Sequence, residues 1–259
     1  LKKIVHSAFS FFKYWILKED RYSQQSPFVF SLYSDLENFL KISKQVNFEA
    51  EEFRQKLLKN SELIEVKDLG AGSKRVNKPR RKVRQIAKFS TSSPKFCGIY
   101  QYFCQLTPGQ EVLELGTGLG VSTRYLSKVT RGRLWTIEGS EKILEIAQSE
   151  PKPQKTEFIL GDIQTSLLEV LSTASQIDFV LIDANHTKEG TLYSFNRCLP
   201  FLNSKSIVII GDIHWSQSME QAWEEIKNHA SVKLTIDFFE CGVVFFDNPG
   251  SKSHLVLAI

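Results

Sequence analysis

The last two-thirds of the chain alternates short apolar runs with longer amphipathic ones. Runs that read as buried strands fall at about residues 112–116, 134–138, 156–160, 177–183 and 206–212. Between and after them, apolar positions recur at helical spacing over about 120–129, 140–149, 164–172, 187–199 and 217–229. Apolar strands separated by amphipathic helices predict a parallel sheet covered on both faces. The alternation stops at the end, where 232–239 and 241–246 are two β-rich runs with no helix between them, predicting a closing hairpin. The first sixty residues differ. Ile4, Ala8, Phe11, Phe12 and Trp15 share a helical spacing, Ser26-Pro27 opens a second helix through about residue 40, and 47–58 carries Phe48, Phe53 and Leu57 in a third. Ser92-Ser93-Pro94 caps a further helix that leads to the first strand. The predicted division is a helical N-terminal extension at 1–65, a basic linker or lid at 66–90 and an α/β domain at 91–259.

The organising stretch is residues 111–122, E-V-L-E-L-G-T-G-L-G-V-S. An apolar strand breaks into Gly116, Gly118 and Gly120 and then into a helix, the nucleotide-binding corner of a doubly wound sheet. Its spacing departs from the dinucleotide fingerprint G-x-G-x-x-G, because the third glycine comes one residue early. Glu114, two residues before the first glycine, would repel a pyrophosphate and suits a ligand bearing an ammonium group. Glu138 ends the second strand about twenty residues on, where an acid accepts from ribose hydroxyls. Gly161-Asp162 follows the third strand. The fourth ends in Asp183, with Asn185 and His186 just beyond, and the fifth in Asp212, with His214 and Trp215 beyond. A buried apolar strand has no packing reason to finish in Asp and His, and open α/β sheets place their chemistry at strand carboxyl ends.

Charge and cysteines narrow the picture. The net charge is +4, yet residues 66–90 hold nine Lys/Arg against Asp68 alone, so the basic character is local. Such a run reads as a solvated face or as a clamp for an anion, RNA phosphate included. Within the linker, Asp68, Gly70 and Gly72 imitate the glycine corner, but the flanking residues make a poor strand and a poor core helix, so the segment reads as a turn. Four cysteines without C-x-x-C spacing suggest neither zinc nor disulfides, which fits a reducing cytoplasm. No run is long enough for stable membrane insertion.

With an acid ending its second strand, the E-x-G-x-G-x-G corner resembles that of class I S-adenosylmethionine (SAM)-dependent methyltransferases. The resemblance implies a Rossmann-like seven-stranded sheet with an antiparallel last strand. It places SAM against Glu114, Gly116, Thr117, Gly118, Ser122, Glu138, Gly139, Gly161, Asp162, Ile163 and Asp183. The ends of the fourth and fifth strands are similar to the catechol O-methyltransferase-like branch, in which two acids and an asparagine hold a divalent cation. Asp183 and Asp212 match the acids, but Ile213 stands where the asparagine would be. Two alternatives follow: a Mg²⁺ or transition-metal site completed by His214 or His186, for instance Asp183, Asp212 and His214, or a metal-free base built from Asp183, Asp212, His186 and His214. The segments at 26–30, 68–73 and 213–216 resemble a bacterial group of this branch that carries the same N-terminal helices. The implied activity is methyl transfer to an oxygen, less readily a nitrogen, of a small hydroxylated acceptor. The alternatives are an RNA methyltransferase using 66–90 and a non-catalytic SAM-binding or interaction module. The N-terminal helices would cover the acceptor pocket or pair two chains in a homodimer.

Overall fold

A computed structural model describes residues 2–66 and 79–259. Three helices come first: α1 (Lys2–Leu17), α2 (Pro27–Val46) and α3 (Phe48–Lys59). A two-stranded ladder follows, β1 (Leu63–Glu65) antiparallel to β2 (Arg80–Lys82), then α4 (Val83–Phe89) and α5 (Pro94–Gln105). The rest alternates as β3 (Glu111–Leu115), α6 (Val121–Val129), β4 (Arg133–Glu138), α7 (Glu141–Ala147), β5 (Thr156–Leu160) and α8 (Ile163–Thr173). It continues through β6 (Phe179–Ile182), α9 (Lys188–Cys198), β7 (Ile207–Gly211), α10 (Gln217–Asn228), β8 (Leu234–Asp237), β9 (Cys241–Phe245) and β10 (Ser253–Val256).

One sheet runs in the order β10-β8-β9-β7-β6-β3-β4-β5. The seven strands expected from sequence are all present, and β9 is antiparallel to both β7 and β8. An eighth strand, β10, which the sequence reading did not anticipate, pairs parallel with β8 at the edge. The central strands are apolar on both sides because helices cover both faces. Val112, Leu181 and Ile209 face one core with residues of α2 and α5, while Leu113, Val180 and Ile210 face the other with residues of α8, α9 and α10. Each such side chain contributes roughly 1.5–3 kcal/mol by leaving water.

The N-terminal helices share these cores. Val29, Leu32, Tyr33 and Leu36 of α2 pack with Phe96, Ile99 and Phe103 of α5, and Tyr102 donates a hydrogen bond to the Leu32 carbonyl at 3.0 Å. In α3, Ala50, Phe53 and Leu57 pack with Val121 and Tyr125 of α6. On α1 the expected face is reversed. Ser10 and Tyr14 are buried, the latter donating to the Leu257 carbonyl at 2.7 Å, whereas Phe9, Phe12, Trp15 and Ile16 are exposed. Tyr14 reaches a backbone acceptor that the spacing of apolar residues could not reveal.

The basic run also departs from expectation. Its second half is ordered as β2 and α4, and α4 buries Val83, Ile86 and Ala87 against α3 and α6, so it does make a core helix. Arg81 is 5% exposed, which removes it from any solvated basic face. The glycine-rich imitation at 68–73 and the basic residues at 67, 74, 75 and 78 lie outside the described residues, as does the first half of the expected lid.

Candidate active site

A cleft of about 460 Å³ opens where the carboxyl ends of β3, β4, β5, β6 and β7 meet. Its first half is the glycine turn. Gly116 has φ +100°, and any side-chain carbon there would collide with the Asp183 carbonyl and the Ala184 methyl. Gly118 has φ +52° and nothing within 4 Å of where a side chain would start, so its bareness serves the open cleft rather than packing. Glu138, at the end of β4, accepts from the Gly118 N–H and the Ser140 N–H, both at 2.9 Å. A carboxylate thus takes the loop N–H that a pyrophosphate would need, which disfavours a dinucleotide. Thr117, Ser122, Gly139, Gly161, Asp162 and Ile163 line the same half. Asp162 also caps α8, accepting from the Gln164 N–H at 2.8 Å. An adenosyl cofactor fits this half, because Gly118 leaves the space a Cβ would fill and Glu138 supplies the acid beside it.

Glu114 is not in the cleft. It is fully buried behind the turn, where its carboxylate accepts from Ser122, Thr123 and Thr136 hydroxyls, each at 2.6 Å. Burial pushes its pKa up to about 7 even against those three donors. The expected contact with a ligand ammonium is therefore replaced by a contact that fastens the glycine turn to β4.

The second half holds the strand-end acids. Asp183 follows β6, and Gly211 at the end of β7 leaves room for its carboxylate, since a side chain there would strike Oδ1. Burial raises the Asp183 pKa and Asp212 raises it further, while His186 and a hydrogen bond from Ser92 pull the other way. His186 Nε2 lies 3.6 Å from Asp212 Oδ2, and its Nδ1 is buried without a hydrogen-bond partner. Asn185, His186 and Asp212 all have positive φ, at 63°, 25° and 54°. Non-glycine residues held this way cost on the order of 1–3 kcal/mol each and cluster at functional sites.

His214 belongs elsewhere. Its Nδ1 pairs with Glu220 at 2.9 Å and its Nε2 with Asp237 at 2.8 Å, and its ring stacks on Phe239. Burial opposes its charge, but Asp237 and then Glu220 outweigh it and hold the imidazole's pKa above the usual value. Both nitrogens are committed, so His214 cannot join Asp183 and Asp212. The Asp183–Asp212–His214 metal set is accordingly not assembled. Ile213 is fully buried in the core, and no three His, Cys, Asp or Glu side chains converge like a metal's ligands among the described residues. The donor set does not fit the cation that the branch resemblance implied.

Four further residues line the acid half, Ser92, Tyr100, Trp215 and Glu240, of which Tyr100 and Glu240 carried no sequence signal. Ser92 Oγ donates to Asp183 Oδ2 at 3.2 Å and lies 3.4 Å from the Tyr100 hydroxyl. Burial raises the Glu240 pKa, and the neighbouring Asp212 adds to the shift. Only the serine's position just ahead of the helix-capping Ser93-Pro94 could have drawn attention to it.

The comparisons agree with this geometry. Residues 113–213 match the family model described as a methyltransferase domain. Over those residues the chain resembles a methyltransferase domain. Its Rossmann-like fold is shared with an O-methyltransferase from Bacillus cereus, solved in complex with S-adenosylhomocysteine (SAH), at 22% identity and a TM-score of 0.51, covering 60% of this chain and 82% of that one. SAH-bound Podospora anserina methyltransferase PaMTH1 is similar at 15% identity and a TM-score of 0.52, over 62% and 82% of the two chains. Among curated proteins, O-methyltransferase hkm8 of Aspergillus hancockii is 25% identical over 138 residues, 51% of this chain and 55% of that protein. Protein-L-isoaspartate O-methyltransferase of Pyrococcus horikoshii is 26% identical over 150 residues, 54% of this chain and 65% of that one. The chain thus spans between about half and two-thirds of the length of these curated relatives. No helix among the described residues is long and apolar enough to cross a membrane.

Proposed function

We propose that this chain transfers a methyl group from SAM to an oxygen of a small hydroxylated acceptor. The observation that carries the reading is one cleft with a bare glycine turn and Glu138 at one end and the neighbouring acids Asp183 and Asp212 at the other. Bound SAM would supply an electrophilic methyl on a sulfonium. The chain's own residues then have two tasks, aligning the acceptor oxygen and taking its proton. Gly116, Gly118, Glu138 and Asp162 bind the adenosyl end. Asp183 is assigned as the proton acceptor, because a carboxylate whose pKa is raised by burial holds a proton better than a solvated one. His186, beside Asp212, opposes the upward shift at Asp183, and Trp215 and Tyr100 wall the acceptor space. Buried Arg81 and Ile86, with the more exposed Phe89, close the cleft from the β2–α4 side. The exposed Phe9, Phe12 and Ile16 of α1 support pairing of two chains through this helix, which sedimentation of wild type against Phe12→Glu tests directly.

The test uses methyl-labelled SAM added with the protein to an extract from cells that lack it. A labelled small molecule that appears with wild type and not with Asp183→Asn supports the reading. Label that enters RNA, or none at all, overturns it.

A further inference from the structure

The helical N-terminal layer reaches the acid half of the cleft through one buried chain of contacts. Arg54 of α3 is 5% exposed. Its Nε pairs with Glu51 Oε1 at 3.0 Å, and the same oxygen accepts from the Tyr125 hydroxyl at 2.8 Å. Tyr125 stands on α6, the helix launched by the glycine turn. One arm of the Arg54 guanidinium, Nη1, donates to the Ser92 carbonyl at 2.6 Å, and the other, Nη2, reaches Cys97 Sγ at 3.4 Å. The Cys97 thiol also leans on the Ser92 carbonyl at 3.5 Å. Ser92 is thereby gripped through its backbone, and it presents its hydroxyl to Asp183 Oδ2 at 3.2 Å. On the other side, Gly211 leaves Asp183 Oδ1 the room it occupies. The carboxylate is held between a placed donor and an empty glycine position.

We propose that Ser92 is a positioning residue for Asp183 and that Arg54 sets Ser92, so that the third N-terminal helix is part of the reaction centre rather than a cover over it. The inference rests on the reading of Asp183 as the group that takes the acceptor's proton. A guanidinium suits the task because its planar fork fixes two directions at once, whereas a lysine would supply only a point charge. Glu51 keeps the buried cation paired, and Tyr125 ties that pair to the helix behind the cofactor half. A shift of α3 would then be felt at Asp183 although Arg54 itself does not line the cleft.

The experiment labels aspartate carboxyl carbons with ¹³C in the full chain and assigns the Asp183 resonance by its loss in Asp183→Asn. Ser92→Ala should shift and broaden that resonance, and Ser92→Thr, which keeps the hydroxyl, should restore it. Arg54→Lys retains the buried charge but loses the fork, and it should perturb the same resonance with no direct contact to Asp183. In the labelled-SAM assay, Ser92→Ala should lower turnover at least about tenfold while SAM affinity by calorimetry stays within about twofold of wild type. An Asp183 resonance indifferent to both Ser92→Ala and Arg54→Lys overturns the proposal, whatever the turnover shows. A perturbed resonance with unchanged turnover keeps the structural coupling and instead removes Asp183 from its assigned role.

Discussion

Glu114 makes the sign of one pH effect calculable. Its carboxylate is fully buried, and burial lifts its pKa from 4.5 to about 7. In the unfolded chain it titrates near its ordinary value. The native state therefore binds the proton more tightly than the unfolded state, and stability falls as pH rises between the two values. The contribution is best below about pH 4.5, worsens through neutrality and stays lost above about 7. At 1.36 kcal/mol per pH unit, that interval is worth about 3 kcal/mol. Glu114→Gln removes the titration while keeping shape: its amide can accept from Thr123 and Thr136 and donate to the Ser122 hydroxyl. Urea unfolding of both proteins at pH 5 and pH 8 isolates the effect, since all other groups cancel in the difference. The glutamine variant should match wild type within about 1 kcal/mol at pH 5 and exceed it by roughly 2–3 kcal/mol at pH 8. A difference that is the same at both pH values would refute the argument and place an ordinary carboxylate behind the glycine turn.

Three further outcomes follow from the geometry. Gly118→Ala should cost only about 1–2 kcal/mol of folding stability, the strain of a left-handed alanine with no clash, yet calorimetry should show SAM affinity falling by tenfold or more as the methyl enters the cleft. His214→Gln should leave the turnover of folded protein unchanged but cost about 2 kcal/mol or more by unpairing Asp237 and Glu220. That His214 contribution should be complete below about pH 6.5 and lost as pH rises through the imidazole's raised native value, read by denaturant titration across pH. Asp183→Asn should abolish methyl transfer with SAM binding intact, and in wild type the rate should fall with acid at a pH above the ordinary carboxylate range, because the base must be ionised and its pKa is raised.

The parts of this molecule written locally were legible in the sequence. A buried strand running into Gly116 and Gly118 announces its corner within a dozen residues, and Asp183 and Asp212 stand out because apolar strands end in them. Side-chain direction was not legible. Glu114 is two residues from the glycines, but strand alternation and three hydroxyls on α6 and β4 turn it away from the cleft. His214 is two residues past Asp212, yet its partners sit 6 and 23 residues downstream, and those distant carboxylates decide where it points. Ser92 carries no motif; its grip comes from Arg54, 38 residues earlier. The strand β10 is short and its exposure pattern mixed, so edge pairing with β8 rather than its own periodicity makes it a strand. Likewise the second half of the basic run folds as β2 and α4 because Val83, Ile86 and Ala87 find a core that its charge pattern obscured.

The glycine turn and Glu138 suit an adenosyl sulfonium rather than a dinucleotide. Calorimetric titration of the full chain with SAM, SAH and NAD tests this most directly, with Glu138→Ala as the control at the cleft's ribose end. SAM and SAH should bind one per chain, Glu138→Ala should weaken both by about 1.5–3 kcal/mol through lost charged hydrogen bonds, and NAD should give no heat. Tight NAD binding with no response to SAM would contradict this reading.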